Sequence, residues 1–422
     1  MPPLGRLTIA APCAGVLLFE EGGWPNRSVR PRPRRALFAA PWRRGGVGAA
    51  GVSSRHSVRR NVPMISWTVI ASTDERFSDF APYVASVNDF GTVAFQAALR
   101  GGGTGVFTGS GGEIAEAAGP ALVAGVASHP DVNGAGAVSF YGELPGGGRG
   151  VFLVQNGRLQ TIADSRGGFA GIGPLGPTMN EAGAVAFRAD RTDRVSGIFI
   201  GDSAGVATIA DTNGDWSGFH GLPVINAGGT VVFRADRKDG VQGIYAARAG
   251  SVQVLVETGD LFETLARFPS VDDRGTLAFA ATLRAGGAGI FTVDEGRVTR
   301  LIDTEGGFET CRGALITSAG AVVFIATPRG ESPGLFAGPD PEADRILALG
   351  DQLLGSTVAD LAANPVSVNA AGQLAVRASL TDGRQLILRA SPVEWARRRG
   401  FRRRSSAIRS PPGEVGPNRA SS

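Results

Sequence analysis

The sequence predicts an all-β fold, a seven-bladed β-propeller of four-stranded blades, in which an N-terminal strand completes the last blade. A motif Asn-x-x-Gly-x-x-x-Phe recurs seven times, with its glycines 45, 47, 46, 46, 45 and 52 residues apart. Each copy holds four short apolar segments, except that the last copy lacks the fourth. A repeat of roughly 40–50 residues with four strands is typical of a propeller blade.

The motif positions predict a tight turn between the first and second strand of each blade. Asn and Gly favour such turns, and an Asn side chain can accept bonds from backbone N–H groups just after it. A ring of Asn ligands is the functional alternative, but turn chemistry explains the pattern. The motif residues are Asn88, Gly91, Phe95; Asn133, Gly136, Phe140; Asn180, Gly183, Phe187; Asn226, Gly229, Phe233; Gly275, Phe279; Gly320, Phe324; and Asn369, Gly372, with Asp272, Thr317 and Val376 as departures.

The segments of each copy predict its strands, and the two ends of the array predict how the ring closes. Copy four reads "PVIN", "TVVFRA", "GIYAA" and "SVQVLVE", short β-branched or aromatic runs without helical periodicity. Copy seven reads "PVSVN", "QLAVRA" and "QLILRA" and then stops. "SWTVIAST" at 66–73 resembles a fourth strand, so it completes blade seven and protects the sheet edges. An open β-solenoid is the alternative architecture.

Charge divides the chain into three parts. Residues 1–63 hold 11 Arg and 2 acids, and residues 392–422 hold 8 Arg and 2 acids, so the flanks carry +15. Both are rich in Arg, Pro, Gly and Ser without periodicity, which predicts disordered basic tails. A start of translation at Met64 is an alternative for the first. The predicted propeller, 64–391, holds 23 basic and 34 acidic residues, a net charge of −11.

This distribution bears on partners. A phosphate backbone would be repelled by the acidic core, so no nucleic acid is expected to bind through it. No apolar run reaches the 18 or so residues that cross a bilayer, so no transmembrane segment is predicted. We expect a monomer. Two distant cysteines, Cys13 and Cys311, argue against a disulfide framework.

The repeat resembles bacterial tandem-repeat proteins with the NxxGxxxF signature, some of which carry varied C-terminal anchors. The resemblance covers 64–391 and implies a secreted or cell-envelope location, whereas a start at Met64 would favour the cytoplasm. No recognisable anchor follows residue 391, and the resemblance implies no reaction. The Pro-x-x-Asn, "VVF" and "GIY" segments are also distantly similar to the blades of TolB-type propellers, which supports the fold.

Departures from the repeat locate a candidate ligand site, because the architecture does not require them. The segment "DTNGDWSGFHG" (211–221) reads as a loop longer than its counterparts, and it holds Asp215, Trp216 and His220. Charged loops of copies three and four should lie beside it and supply Arg188, Arg191, Arg234 and Arg237. The aromatics Phe77, Phe169, Phe219, Phe262 and Phe308 recur too regularly to form one site and are expected to lie beneath connecting loops.

No cofactor is predicted, although a divalent cation is possible. Acids recur at the end of fourth strands, and Asp164, Asp211 and Asp303 are the alternative metal ligands. Capping of the turn that follows each strand is the favoured interpretation. The glycine runs "GGGTG" (101–105) and "PGGGRG" (145–150) lack the Lys-Ser/Thr of phosphate loops and predict hairpin turns.

The sequence therefore favours a non-enzymatic binding or scaffold propeller whose ligand, a protein, peptide or glycan, binds on the face that carries the longer loops. The alternative is a hydrolase or lyase acting on carbohydrate or ester substrates at that face. An enzyme needs acids and bases that converge on one point. Asp211, Asp215 and His220 are the residues that would have to do so.

Overall fold

A computed structural model describes residues 65–73 and 76–391, and this part of the chain folds into seven antiparallel sheets arranged as the blades of a propeller. The predicted fold class is confirmed. The basic tails predicted at 1–63 and 392–422 lie outside the described residues. No helix in the described part is long and apolar enough to cross a membrane.

The strands follow the repeat. The chain starts with β1 (Trp67–Ser72), which belongs to the last blade. Blade one contains β2 (Phe77–Asp79), β3 (Ser86–Val87), β4 (Val93–Leu99), β5 (Thr104–Gly109) and β6 (Ile114–Ala118). Blade two contains β7 (Gly125–Val126), β8 (Asp131–Val132), β9 (Val138–Glu143), β10 (Arg149–Gln155) and β11 (Arg158–Asp164). Blade three contains β12 (Phe169–Ile172), β13 (Thr178–Met179), β14 (Val185–Arg191), β15 (Ser196–Asp202) and β16 (Gly205–Asp211).

The second half of the ring repeats this order. Blade four contains β17 (Trp216–Ile225), β18 (Val231–Arg237), β19 (Gln242–Arg248) and β20 (Ser251–Glu257). Blade five contains β21 (Phe262–Leu265), β22 (Ser270–Val271), β23 (Leu277–Leu283), β24 (Ala288–Asp294) and β25 (Arg297–Asp303). Blade six contains β26 (Phe308–Ile316), β27 (Val322–Pro328), β28 (Gly334–Phe336) and β29 (Arg345–Ala348). Blade seven contains β30 (Gln352–Leu353), β31 (Ser356–Ala362), η1 (Pro365–Ser367, a 3-10 helix), β32 (Leu374–Leu380) and β33 (Gln385–Ala390).

The ring closes as the sequence predicts. Strand β1 pairs antiparallel with β33, in a register that runs from Trp67 opposite Ala390 to Ser72 opposite Leu386. The N-terminal strand therefore supplies the outermost strand of blade seven. First strands of adjacent blades lie side by side, as β3 and β8 or β22 and β26 do, so these strands surround the axis.

Both faces of each blade are buried, which explains the alternation of large and small apolar residues in the second strands. Phe279 packs in one cluster with Leu222 and Val232 of the preceding blade. Its strand neighbour Ala280 packs in another cluster with Phe308 of the following blade. Successive residues of a second strand therefore contact the previous blade and the next blade in turn, because their side chains point to opposite faces of the sheet.

The predicted turn is present in all seven blades, since the motif Gly N–H bonds the carbonyl three residues before it in every copy. The Asn side chain has a second role that the sequence did not predict. While its Oδ1 accepts N–H groups of its own turn, its Nδ2 donates to the equivalent backbone carbonyl of the next blade. These inter-blade bonds join Asn88 to Asn133, Asn133 to Asn180, Asn226 to Asp272, and Asn369 to Asn88.

Blade seven departs from the predicted strand at 365–369. Residues Pro365–Ser367 form the 3-10 helix instead, capped by Asn364, whose Oδ1 accepts the Val366 N–H at 3.1 Å. Proline cannot donate to a strand ladder, and the cap competes for the remaining N–H groups. The helix still links blades, because Ser367 Oγ donates to the Ala85 carbonyl of blade one at 2.7 Å.

Candidate functional site

Trp216 belongs to the blade core, so its predicted place on a loop is wrong. It is the first residue of β17 and pairs with Arg237 of β18. Arg237 lies four residues after the motif residue Phe233. Phe169 of blade three has the same register opposite Arg191, so Trp216 is its equivalent and the segment before it is no longer than in blade three. The Trp216 ring packs edge-on to Phe233 and Tyr245, at centroid distances of 5.8 and 4.4 Å.

The recurrent first-strand aromatics also lie in blade cores rather than beneath loops. Each packs against the aromatics of the second and third strands in its own blade, as Phe262 does against Phe279 and Phe291 at 5.4 and 5.0 Å. Phe77, Phe169 and Phe308 make the same contacts in their blades. In blade four Trp216 has this register, and Phe219 lies three residues later. Spacing alone matched Phe219 to the other aromatics and so placed Trp216 on the preceding loop.

His220 lies on β17 and forms a polar cluster with two residues of β18. Its Nε2 is 2.8 Å from Oδ2 of Asp236, and the other carboxylate oxygen of Asp236 accepts a hydrogen bond from Arg234. The Arg234 side chain is only 6 % exposed, whereas those of His220 and Asp236 are 29 % and 31 % exposed. Because Asp236 accepts from both neighbours, it fixes the orientation of the imidazole. We call these three residues the blade-four cluster.

The propeller does not require charge at the Arg234 position. In the same register, one residue after the motif Phe, blade five has Ala280 and blade six has Ile325, and both are buried. Burying a guanidinium is costly unless it is paired. Within the described residues Nε of Arg234 has no hydrogen-bond partner, so the pairing is incomplete. Blades three and seven have Arg188 and Arg377 in this register, so the position accepts arginine as well as apolar residues, and packing does not dictate the choice.

Gly221 brings a residue of blade five up to this cluster. Its φ is +66°, and a Cβ at this position would lie 1.6 Å from the Arg267 carbonyl oxygen. The missing side chain thus lets the blade-five backbone approach β17, with Arg267 close enough to act on His220. Burial lowers the pKa of His220 below its ordinary value, as do Arg234 and Arg267, while Asp236 opposes them. The fold therefore favours the neutral imidazole.

The remaining predicted ligand residues fall into two groups. Arg188 lies next to the cluster, since its guanidinium donates a 3.0 Å bond to the Phe219 carbonyl across the seam between blades three and four. The other predicted residues form ion pairs or hydrogen bonds near the loops. Arg191 pairs with Asp193, and Arg237 pairs with Asp239 and Glu257. Asp215 is exposed in the turn before β17, where its carbonyl accepts the Lys238 N–H at 2.9 Å.

The acids at the ends of fourth strands cap turns in separate blades. Oδ1 of Asp164 accepts the N–H groups of the second and third residues after it, both at 2.9 Å, and Asp303 does the same. Asp211 accepts the Asn213 N–H at 3.0 Å. The structure does not bring Asp211, Asp215 and His220 together, because His220 faces Asp236. Among the described residues, no group of three His, Cys, Asp or Glu side chains is placed to hold a metal ion.

The two glycine runs form hairpin turns between second and third strands, as predicted. In the first, the Leu99 N–H bonds the Gly103 carbonyl at 3.0 Å. In the second, the Leu144 N–H bonds the Gly148 carbonyl at 3.0 Å. These turns lie at the same end of the ring as the turns before the first strands, and we call this end the long-loop face. The opposite end carries the Asn-Gly turns and is called the short-turn face.

Part of the chain is similar to a known protein family. Residues 204–385 match the model of a family of unknown function, DUF7453. A comparison with curated proteins gives no significant match. The matched segment begins one residue before β16 and so includes the blade-four cluster.

Solved structures share the fold. An oligogalacturonate lyase in complex with manganese aligns with a TM-score of 0.51 and 10 % identity, over 80 % of this chain and 100 % of that one. Oligogalacturonate lyase from Vibrio parahaemolyticus gives 0.48 and 10 %, over 78 % and 96 %. TolB from Acinetobacter baumannii gives 0.38 and 16 %, over 75 % of this chain and only 66 % of TolB. At 10 % identity the first of these alignments shows a likeness of fold alone.

Proposed function

We propose that this propeller is a non-enzymatic binding or scaffold protein that recognises a protein, peptide or glycan on its long-loop face, with the blade-four cluster at the centre of the site. The observation that carries this proposal is the buried charge of Arg234. The blade architecture accepts Ala280 and Ile325 in the same register, so the arginine is not needed for packing. A partly exposed His220, held by Asp236, presents a fixed polar group to a ligand.

The rest of the face supports recognition of a polar ligand. Arg234 and Arg267 act on the His220 imidazole, which the fold keeps neutral, and Arg188 bonds the carbonyl of the preceding residue, Phe219. A neutral imidazole can both donate and accept hydrogen bonds. Ligands of closed propellers approach such a face because the connecting loops converge there.

A ligand screen tests the proposal. Thermal unfolding of the full chain is measured against glycans, peptides and divalent ions, beside Asp236→Asn and the control Arg158→Gln on the short-turn face. Ligands that bind the folded state raise the unfolding temperature. We expect a shift in the wild type and the control that is lost in Asp236→Asn. A ligand whose shift is equal in all three proteins would place the site elsewhere.

The second candidate is a hydrolase or lyase at the same face, and one observation favours it. The Asp236 carboxylate orients His220 through a 2.8 Å bond, and a neutral imidazole held in this way can act as a general base. Turnover of ester and glycoside substrates by the wild type, lost in His220→Asn with ligand affinity retained, would support catalysis. Equal residual rates in both proteins would leave the binding function alone.

A further inference from the structure

A second polar site lies on the long-loop face at blade two. A cavity of about 460 Å³ is lined by Ala124, by Glu143 and Leu144, and by the turn from Gly146 to Arg149. Two of these residues are charged, and both are exposed. The volume falls within the range of small-molecule sites, roughly 300–1,000 Å³.

The two charged residues are placed to pair with each other and do not. Arg149 lies directly opposite Glu143 in the register of β9 and β10. Opposite charges in such positions usually attract each other across the strands. Here neither side chain forms a hydrogen bond or an ion pair with any residue of the described part of the chain. Elsewhere on this face charged neighbours do pair, as Arg191 and Asp193 or Arg384 and Asp382 do.

A glycine makes room for the Glu143 side chain, and the neighbouring turn leaves the cavity open. A Cβ on Gly125 would lie 2.9 Å from Oε2 of Glu143, so the carboxylate rests on the bare backbone of the first strand. A Cβ on Gly173 would lie 3.7 Å from a terminal nitrogen of Arg149, so the guanidinium extends towards blade three. The turn at 146–148 has three glycines with φ of +85°, +97° and +91°, and it adds no side chain to the cavity.

The chemistry of this pair selects a class of ligand. A carboxylate only accepts hydrogen bonds and a guanidinium only donates them. A simple anion is repelled by Glu143, and a simple cation is repelled by Arg149. Neighbouring hydroxyl groups satisfy both, because each hydroxyl can donate to the carboxylate and accept from the guanidinium. Tyr83 is close to both charges, which act on its hydroxyl, and its half-buried ring offers an apolar surface beside them.

We propose that Glu143 and Arg149 form a saccharide subsite that binds the vicinal hydroxyls of a neutral sugar. This inference deepens the proposed function and rests on it, since it names a glycan as the ligand of the long-loop face. The sugar hydroxyls donate to Glu143 and accept from Arg149.

Calorimetric titration tests the subsite. The full chain is titrated with the neutral disaccharides maltose, cellobiose, lactose and sucrose, and with the zwitterion glycylglycine. The variants are Glu143→Gln and Arg149→Gln, with Arg158→Gln as the control. Both target side chains are exposed and lack partners within the described residues, so the variants retain the fold, and their unfolding temperatures check this. We expect at least one disaccharide to bind and its affinity to fall at least tenfold in either variant.

Three results would overturn the subsite. They are the absence of any disaccharide binding, equal binding by the wild type and both variants, and binding of glycylglycine in preference to the sugars. Asp236→Asn separates this failure from failure of the proposed function. If a ligand needs Asp236 and is indifferent to Glu143 and Arg149, the subsite is wrong while recognition at the blade-four cluster stands.

Discussion

The side-chain amide of Asn88 donates a 2.8 Å hydrogen bond to the backbone carbonyl of Asn133, the equivalent residue of the next blade. At the same time Oδ1 of Asn88 accepts the N–H groups of Phe90 and Thr92, at 3.1 and 2.9 Å. One buried side chain thus shapes its own turn and joins two blades. This double role explains why the repeat keeps Asn rather than other turn formers.

Asn88→Asp separates the two roles. The variant keeps an acceptor for its own turn but loses the donor, so a carboxylate faces the Asn133 carbonyl. We expect a loss of about 2 kcal/mol in the free energy of unfolding, because the inter-blade bond is lost and a buried carboxylate faces a carbonyl oxygen that keeps only the Gly136 N–H as its donor. Denaturant unfolding measures it, and the exposed Asn156→Asp provides the control. Equal stability of the two variants would show that the inter-blade bond contributes nothing.

Trp216 should behave as a core aromatic. In its register blade three has Phe169, so Trp216→Phe should cost only about 1 kcal/mol of unfolding free energy, whereas Trp216→Ala should cost about 3–5 kcal/mol. Denaturant unfolding of both variants measures this. Ligand affinity should be unchanged in Trp216→Phe. A variant of normal stability that no longer binds would restore Trp216 as a ligand residue.

Arg234 should be dispensable for folding and needed for recognition. Arg234→Ile copies Ile325 of blade six and removes a charge that is costly to bury. The Asp236 carboxylate that it leaves is 31 % exposed and still bonded to His220, so it is not stranded as a buried charge. We expect its unfolding free energy to stay within about 1 kcal/mol of the wild type or to rise, with loss of ligand binding. A loss of several kcal/mol in thermal or denaturant unfolding would make Arg234 a structural residue.

The stability of the fold should depend on pH through His129. This residue is 3 % exposed near the axis, with its Nε2 3.4 Å from the amide nitrogen of Asn364. Burial lowers the pKa of His129 from 6.5 to about 4. Between these values the unfolded chain binds a proton that the folded state does not, so acidification lowers the free energy of unfolding, by up to about 3 kcal/mol.

Asp131 opposes this dependence, because burial raises its pKa to about 7 and the folded state then holds the extra proton. The effect of His129 is isolated by comparison with His129→Asn. The unfolding free energy of the wild type, relative to that of the variant, should fall from pH 7 to pH 4. A difference that is the same at every pH would contradict a neutral buried His129.

The repeat made the fold predictable, and the same regularity misplaced part of the site. Seven spaced motifs and an unpaired terminal segment were enough to predict the blades and their closure. The register of Trp216 was lost because Phe219, three residues later, matched the apparent spacing of the other aromatics. Only the pairing of β17 with β18, which aligns Trp216 with Phe169, resolves it.

The sequence pattern did not predict contacts between side chains on different strands or in different blades. Asp236 was visible as one charge among many, and nothing in its spacing singled it out as the partner of His220. The amide bonds between blades and the unpaired Glu143 and Arg149 also depend on how strands face each other in the ring. Side-chain chemistry was readable from the sequence, whereas its geometry was not.

The central claim is that recognition occurs on the long-loop face. Amide hydrogen exchange of the full chain, with and without the first ligand that raises its unfolding temperature, tests this most directly. The account predicts new protection at the loops around 190–196 and 236–242 and in β17, with no change at the Asn-Gly turns. Protection confined to the turns at 88–92 and 133–137, on the short-turn face, would contradict it.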